Sequence, residues 1–229
     1  INAGGRVGKC SHGANLLLNK DPKNSFQLAL ELDQYNKERQ LLEKDLLQKI
    51  LNEAKDYSDD PALILSGSNW HEGIIGIVAA RLKDKFNKPV IIISLNGSIG
   101  KASARSIVGF DIGSVIVAAT QENILLKGGG HKMAGGFSIK AGNIEKLKDF
   151  VFRKFRNINL DLTKEKPMLL DSIISPSAVN LEFYNKVALL SPFGSGNPEP
   201  KFVIENVKTI NGKIVGEKHV KSVLIGNDG

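Results

Sequence analysis

The sequence predicts an α/β protein: a sheet flanked by helices, preceded by a long connecting helix and followed by a partial, β-rich segment. Three observations predict it. Between residues 62 and 156 short β-branched runs alternate with helical patterns, as in a sheet covered by helices. Upstream, Leu28, Leu32, Tyr35, Leu42, Leu46, Ile50 and Ala54 recur at steps of three, four or seven, which makes one long helical stripe. Downstream of the charged run Thr163-Lys164-Glu165-Lys166-Pro167, strand-like runs are separated by Pro/Gly turns.

The elements follow in order. Residues 1–18 are glycine-rich and then helical, and Asp21-Pro22 is expected to break the chain. A helix is predicted from about Ser25 to Asp56, with Asn24 and Gln27 as a capping box and Arg39 interrupting its stripe. Thirty helical residues span about 45 Å, a length that suits a connector between domains better than a core helix. The run of 62–66 is a short strand, His71–Phe86 a helix apolar on more than one side, and Pro89–Ser94 a buried strand. Ile99–Ser106 reads as an exposed strand, Asp111–Leu126 as a helix, Phe137–Lys140 as a strand and Asn143–Arg156 as a helix. Beyond the charged linker, strands are predicted over Met168–Ile174 and Phe202–Thr209, with a helix over Asn180–Leu190 between them and two short strands near Ile214 and Val220–Ile225. The domain boundaries drawn on this reading are 1–24, 25–57, 58–162 and 163–229.

The chain has 229 residues, 41% hydrophobic and 24% charged, the composition of a soluble globular protein. No apolar run reaches the ~18 residues of a membrane helix, and no signal-peptide pattern opens the chain, so no membrane role is expected. One cysteine, Cys10, excludes an internal disulfide and fits a reducing, cytoplasmic setting. Cys10 and His12 are two potential ligands without further cysteines, which makes an inert thiol the better reading. The first residue is Ile1 and not methionine, and we expect the chain to be part of a longer one. The net charge of +7 is uneven: −1 over residues 1–60, +5 over 61–140 and +3 over 141–229. A basic middle suggests a polyanionic partner, most simply nucleic acid.

The densest signal is Gly128-Gly129-Gly130-His131-Lys132-Met133-Ala134-Gly135-Gly136-Phe137, in which five of the nine residues from 128 to 136 are glycine. Glycine admits positive φ and close backbone approach, so Gly128, Gly129 and Gly130 are expected to form a concave nest of N–H groups that holds an anion. His131 would donate to the same anion. The competing reading is a helix C-cap followed by a flexible connector. A second candidate is Lys101-Ala102-Ser103-Ala104-Arg105-Ser106. On a strand, Lys101, Ser103 and Arg105 share one face, and Ala102 and Ala104 turn inward. Two cations around a hydroxyl suit a phosphate, although a solvated strand face has the same pattern. Third, Ser66-Gly67-Ser68-Asn69-Trp70-His71-Glu72-Gly73 joins a strand to a helix, with Asn69 and Glu72 as a capping box and His71 in the first turn. It is neither a P-loop nor a dinucleotide fingerprint. Fourth, glycines surround Arg6 in Ile1-Asn2-Ala3-Gly4-Gly5-Arg6-Val7-Gly8, so backbone and guanidinium could both face a phosphate; a frayed terminus is the alternative.

These motifs resemble, in order, segments of RecJ-type single-stranded-DNA-specific exonucleases of the DHH/DHHA1 phosphoesterase family. The glycine–histidine run resembles the DHHA1 signature, and 103–106 resembles a Ser-x-Arg-Ser element in which Ser103, Arg105 and Ser106 would grip phosphate. The run from Trp70 to Leu82 is similar to a helix of that family, and 1–6 to the end of its DHH core, with Gly4 for the usual alanine. Ser191-Pro192-Phe193-Gly194-Ser195-Gly196-Asn197-Pro198-Glu199-Pro200 resembles the entry to its OB-fold domain. The resemblance implies a DHHA1-type sheet and an incomplete OB-like domain. It implies a 5′-to-3′ exonuclease whose Mn²⁺ or Mg²⁺ is held by a DHH core expected outside this chain, because the four histidines are scattered and no Asp/His cluster occurs. Together with the residue readings above, it gives His131 a catalytic role and phosphate or DNA contacts to Arg6, His71, Lys101, Ser103, Arg105, Ser106 and Gly128–Gly130, with no metal ligand among them. Single-stranded DNA is the implied partner, and single-stranded-DNA-binding protein a further candidate. Two rivals share the signature: a related phosphodiesterase acting on short oligonucleotides or cyclic dinucleotides, and a non-catalytic module like the appendage of alanyl-tRNA synthetases.

Overall fold

The computed structural model describes residues 1–53, 59–158, 168–216 and 219–226. The chain divides into two compact units, residues 1–164 and 165–229.

Unit 1 opens with two short helices, α1 (Gly4–Val7) and α2 (Ser11–Leu18), and then α3 (Pro22–Glu53). The expected break falls at residues 19–21, between α2 and α3, and Pro22 itself starts α3, three residues before the predicted helix start. The Asp21 carboxylate accepts from the N–H groups of Lys23 and Asn24 at 3.2 and 3.3 Å, and Pro22 lacks an N–H where none is needed. The expected capping box at Asn24 and Gln27 therefore lies inside the helix, where the Gln27 side chain reaches Glu31 instead. The predicted end of the stripe, at Ala54 to Asp56, and the linker at 163–167 lie outside the described residues. Arg39 interrupts the stripe for a physical reason: it pairs with buried Glu43, which also holds Arg81 of the next helix.

The sheet has five strands in the order β1-β2-β3-β5-β4: β1 (Leu63–Ser68), β2 (Val90–Asn96), β3 (Ile99–Arg105), β4 (Lys127–His131) and β5 (Ala134–Lys140). Strands β1 and β2 are parallel, joined by the crossover helix α4 (Glu72–Phe86), and the other pairs are antiparallel. The β2–β3 hairpin turns at Gly97, whose φ of +59° favours a residue without Cβ. Helices α5 (Ile112–Gln121) and α6 (Ile144–Arg156) cover one face, with Ile91, Ile93, Ala102, Ala104, Ile116, Phe137, Ile139 and Phe150 in that core. On the other face α4 lies over β2 and β3, Leu63 and Leu65 of β1 join the same core, and α3 adds Leu46 and Ile50 behind it. The run Val90-Ile91-Ile92-Ile93 is uniformly apolar because β2 is buried on both sides. Trp70 is buried in the α4-side core.

Unit 2 is small and open. A parallel pair, β6 (Ser172–Ile173) and β7 (Phe202–Val203), flanks α7 (Leu181–Ala188), whose N-cap Asn180 accepts from the N–H of Phe183 at 2.9 Å. Phe183 and Phe202 meet edge-on at 5.0 Å. A hairpin of β8 (Lys208–Val215) and β9 (His219–Ile225) follows, with an irregularity between Ile210 and Lys213. Strands expected at 168–174 and 202–209 are shorter than predicted, and none of the unit's described residues is fully buried.

Candidate nucleic-acid interface

Across β3, β5 and β4 one face of the sheet is closed, while on the other α4 packs along β3 and leaves β5 and β4 open. Register defines three cross-strand rows on the open face: Lys101–Ser138–Lys127, Ser103–Gly136–Gly129 and Arg105–Ala134–His131. The expectation that Lys101, Ser103 and Arg105 share a face, with Ala102 and Ala104 buried, is met.

The glycine run is built differently from the expected nest. Gly128–Gly130 lie in the edge strand β4, and none of them has positive φ. They are glycine for closeness. A Cβ on Gly128 would lie 2.6 Å from the Phe137 Cβ and 2.7 Å from Ile116, and one on Gly130 would lie 2.4 Å from the Ala134 carbonyl oxygen. A Cβ on Gly113 of α5 would lie 2.9 Å from the His131 backbone, so helix and edge strand touch. Gly129, pointing to the open face, would meet nothing within 4 Å.

Two adjoining clefts occupy the open side. One, of about 690 Å³, is lined by Lys101, Ser103, Lys127, Gly128, Gly129, Gly136 and Ser138, with Glu72 and Ile75 from α4. The other, of about 730 Å³, is lined by Arg6, Ser103, Arg105, Glu72, Gly73, Gly76 and residues of α1 and α2. Arg6 and Arg105 thus converge from sequence positions ninety-nine apart. Two glycines of α4 make the convergence possible. A Cβ on Gly73 would overlap the Arg6 carbonyl oxygen at 1.9 Å, and one on Gly76 would lie 2.9 Å from the Ser103 hydroxyl and 3.0 Å from the Arg105 guanidinium. Arg6 donates to the Gly73 carbonyl at 3.3 Å. Arg105 donates to the Ser103 hydroxyl at 3.1 Å and the Ala104 carbonyl at 2.8 Å, which leaves other guanidinium N–H groups for a ligand. Burial, and secondarily the charge of Arg6, hold the Arg105 guanidinium below its ordinary value.

Three expected residues fall elsewhere. Ser106 is 1% exposed, and its hydroxyl donates to the Phe110 carbonyl at 2.6 Å, so it closes a turn and faces no cleft. His71 is the N-cap of α4, its Nδ1 accepting from the N–H of Gly73 at 3.1 Å, so the capping box at Asn69 and Glu72 does not form. Asn69 instead takes a positive φ of 63°. His131 lines a third cleft of about 450 Å³ with Asp111, Ser114, Gly130 and Lys132. Its backbone is two strands from Arg105, about 9.6 Å at ordinary strand spacing. Its Nδ1 accepts from the Met133 N–H at 3.3 Å, so in the neutral ring Nε2 carries the proton and can donate. Sequence reasoning missed Lys127, Gly73, Gly76 and the non-capping side of Glu72. Lys127 precedes the glycines with the spacing of the open face, and that signal was readable once the run was taken as a strand.

Comparison with known proteins decides the lineage. The DHHA1 domain family matches residues 59–157, and the RecJ OB domain family matches residues 170–228. This chain belongs to the RecJ family. The single-stranded-DNA-specific exonuclease RecJ of Bacillus subtilis is 29% identical over 233 residues, covering 98% of this chain and 29% of that protein. The RecJ of Thermus thermophilus is 33% identical over 204 residues, covering 89% of this chain and 29% of its relative. The crystal structure of T. thermophilus RecJ in complex with Mg²⁺ superposes with a TM-score of 0.80 at 30% identity, over 98% of this chain and 35% of that one. The chain therefore spans less than half the length of these RecJ relatives. Among the described residues no group of three or more His, Cys, Asp or Glu could hold a metal ion. The two clefts offer one carboxylate, Glu72, already paired with Lys101 at 2.7 Å, a donor set that does not fit Mg²⁺ or Mn²⁺. No described helix is long and apolar enough to cross a membrane.

Proposed function

We propose that this chain is the DNA-gripping part of a RecJ-type exonuclease that hydrolyses single-stranded DNA from the 5′ end in cytoplasmic DNA repair and recombination. The observation that carries the reading is the convergence of Arg6, Ser103 and Arg105 on one cleft, with Gly73 and Gly76 clearing the space between them. Guanidinium forks and a hydroxyl match the oxygens of a phosphate, and they position a strand without reading its bases. Lys101 and Lys127 extend the positive face along the sheet, as a polyanion requires. His131, with a donor N–H at Nε2, is assigned to the reacting phosphate from the rim of the same half-sheet. The Mn²⁺ or Mg²⁺ of the hydrolysis is held by residues other than those of the clefts. Single-stranded-DNA-binding protein is a candidate partner by analogy with the family.

The test is fluorescence anisotropy of the 229-residue chain with a 5′-phosphorylated, 3′-fluorescein oligothymidylate across a salt series. Binding is expected, with log Kd rising steeply with log salt at about 0.7 per phosphate contacted. Binding that does not vary with salt, or no binding at low salt, would overturn the reading.

A further inference from the structure

The row Lys101–Ser138–Lys127 runs across β3, β5 and β4 on the open face, two residues along the strands from Ser103 and four from Arg105. At about 3.3 Å per residue it lies roughly 13 Å from Arg105, too far to share one phosphate with it. Between the two rows lie Ser103, Gly136 and Gly129, where a Cβ on Gly129 would meet nothing. All three residues of the row line the 690 Å³ cleft, whereas Arg6 and Arg105 line its neighbour. One carboxylate reaches into this cleft: Glu72, in the first turn of α4, lies 2.7 Å from the Lys101 ammonium, with both side chains substantially exposed. An anionic oxygen is thus already accommodated at one end of the row, and it comes from the protein itself.

We infer that Lys101, Ser138 and Lys127 form a second phosphate subsite, and that Glu72 holds its place for the incoming phosphate by pairing with Lys101. A strand anchored by one phosphate at Arg6 and Arg105 lays a later phosphate on the lysine row, and the intervening nucleoside crosses the glycine floor. On arrival the phosphate takes over Lys101 from Glu72, whose charge then opposes binding. The subsite reads charge and spacing, so its ligand is a phosphodiester chain of more than one nucleotide. It rests on the proposed function above.

The same anisotropy assay separates the two. Lys127→Gln is expected to weaken binding up to about fivefold and to lower the salt slope by about 0.7. Glu72→Gln is expected to tighten binding by a similar factor. In a Lys101→Gln background the Glu72→Gln gain should shrink, because no Lys101 pair remains to be released. If the wild-type chain binds with a steep salt slope but Lys127→Gln leaves that slope unchanged, the subsite is wrong and the primary site stands. An unchanged or weaker affinity for Glu72→Gln, accompanied by a lower melting temperature, would make Glu72 a helix-stabilising residue only and overturn its role as placeholder. Failure of the wild-type chain to bind removes both readings together.

Discussion

The two faces of the β3–β5–β4 half-sheet use the same residue type for opposite ends. On the closed face Gly128, Gly130 and Gly135 let α5 and the neighbouring strand come closer than any side chain allows, and their backbones are crowded. On the open face Gly129 is surrounded by space and flanked by cations. One glycine run thus serves packing at alternate positions and access at the others, which is the period of a strand and not of a loop. The difference teaches that glycine density does not by itself identify a phosphate nest; the face each glycine points to decides its use.

The largest expected effect is on the closed face. Gly130→Ala puts a methyl against backbone atoms that cannot move aside, a cost of roughly 1–3 kcal/mol. The melting temperature is then expected to fall by roughly 2–12 °C. Gly129→Ala should leave it within a degree or so and instead weaken DNA binding. Equal melting temperatures for the two variants in a calorimetric scan would erase the distinction between the faces.

The next effect is on the open face. Arg105→Ala removes a half-buried fork and is expected to weaken single-stranded-DNA binding by roughly ten- to a hundredfold. Lys101→Ala should cost far less, because Glu72 already offsets its charge. His131→Ala should leave both binding and melting temperature in place and be felt in the turnover of an active RecJ-type enzyme that carries this segment. Similar small losses for Arg105 and Lys101 would return β3 to a solvated strand.

Much of the sheet was readable because its strands advertise themselves: Val90–Ile93 is apolar throughout, and 101–105 alternates, whereas β4, mostly glycine, carries no such pattern and was expected as a nest. The alternation also placed Ser103 and Arg105 correctly. What sequence could not supply was the closeness of approach. Gly73 and Gly76 look like ordinary helix positions until Arg6 and Arg105 are seen against them. Ser106 continues the motif by one residue, and that one step takes it into the interior. Asp21-Pro22 and Asn69 show the same limit at helix starts, where several nearby side chains could cap and packing selects one.

The smallest expected effect lies between the faces, at the start of α5. Asp111 accepts from the Ser114 N–H at 3.0 Å, and this bond, with a lesser contribution from Lys132, holds its carboxyl below the ordinary value. A depressed carboxyl contributes stability above the unfolded value, and that contribution is lost as pH falls through the folded value. Asp111→Ala should therefore lower the melting temperature slightly at pH 7, and the difference from wild type should begin to shrink below about pH 4 and vanish only once pH has fallen past the lower, folded value. A difference that persists unchanged in acid would assign the effect to something other than this carboxylate.

The depressed guanidinium of Arg105 has the opposite sign and another meaning. Because its value is lowered by burial and by Arg6, the folded protein carries an electrostatic cost at every pH below that value, and only strong alkali would relieve it. Across ordinary conditions the cost is constant, and no change of buffer removes it. An anion beside the guanidinium groups offsets it. Removing the charge of either arginine would lift the repulsive part of that cost while weakening the grip, so at this corner of the molecule binding and stability make different demands.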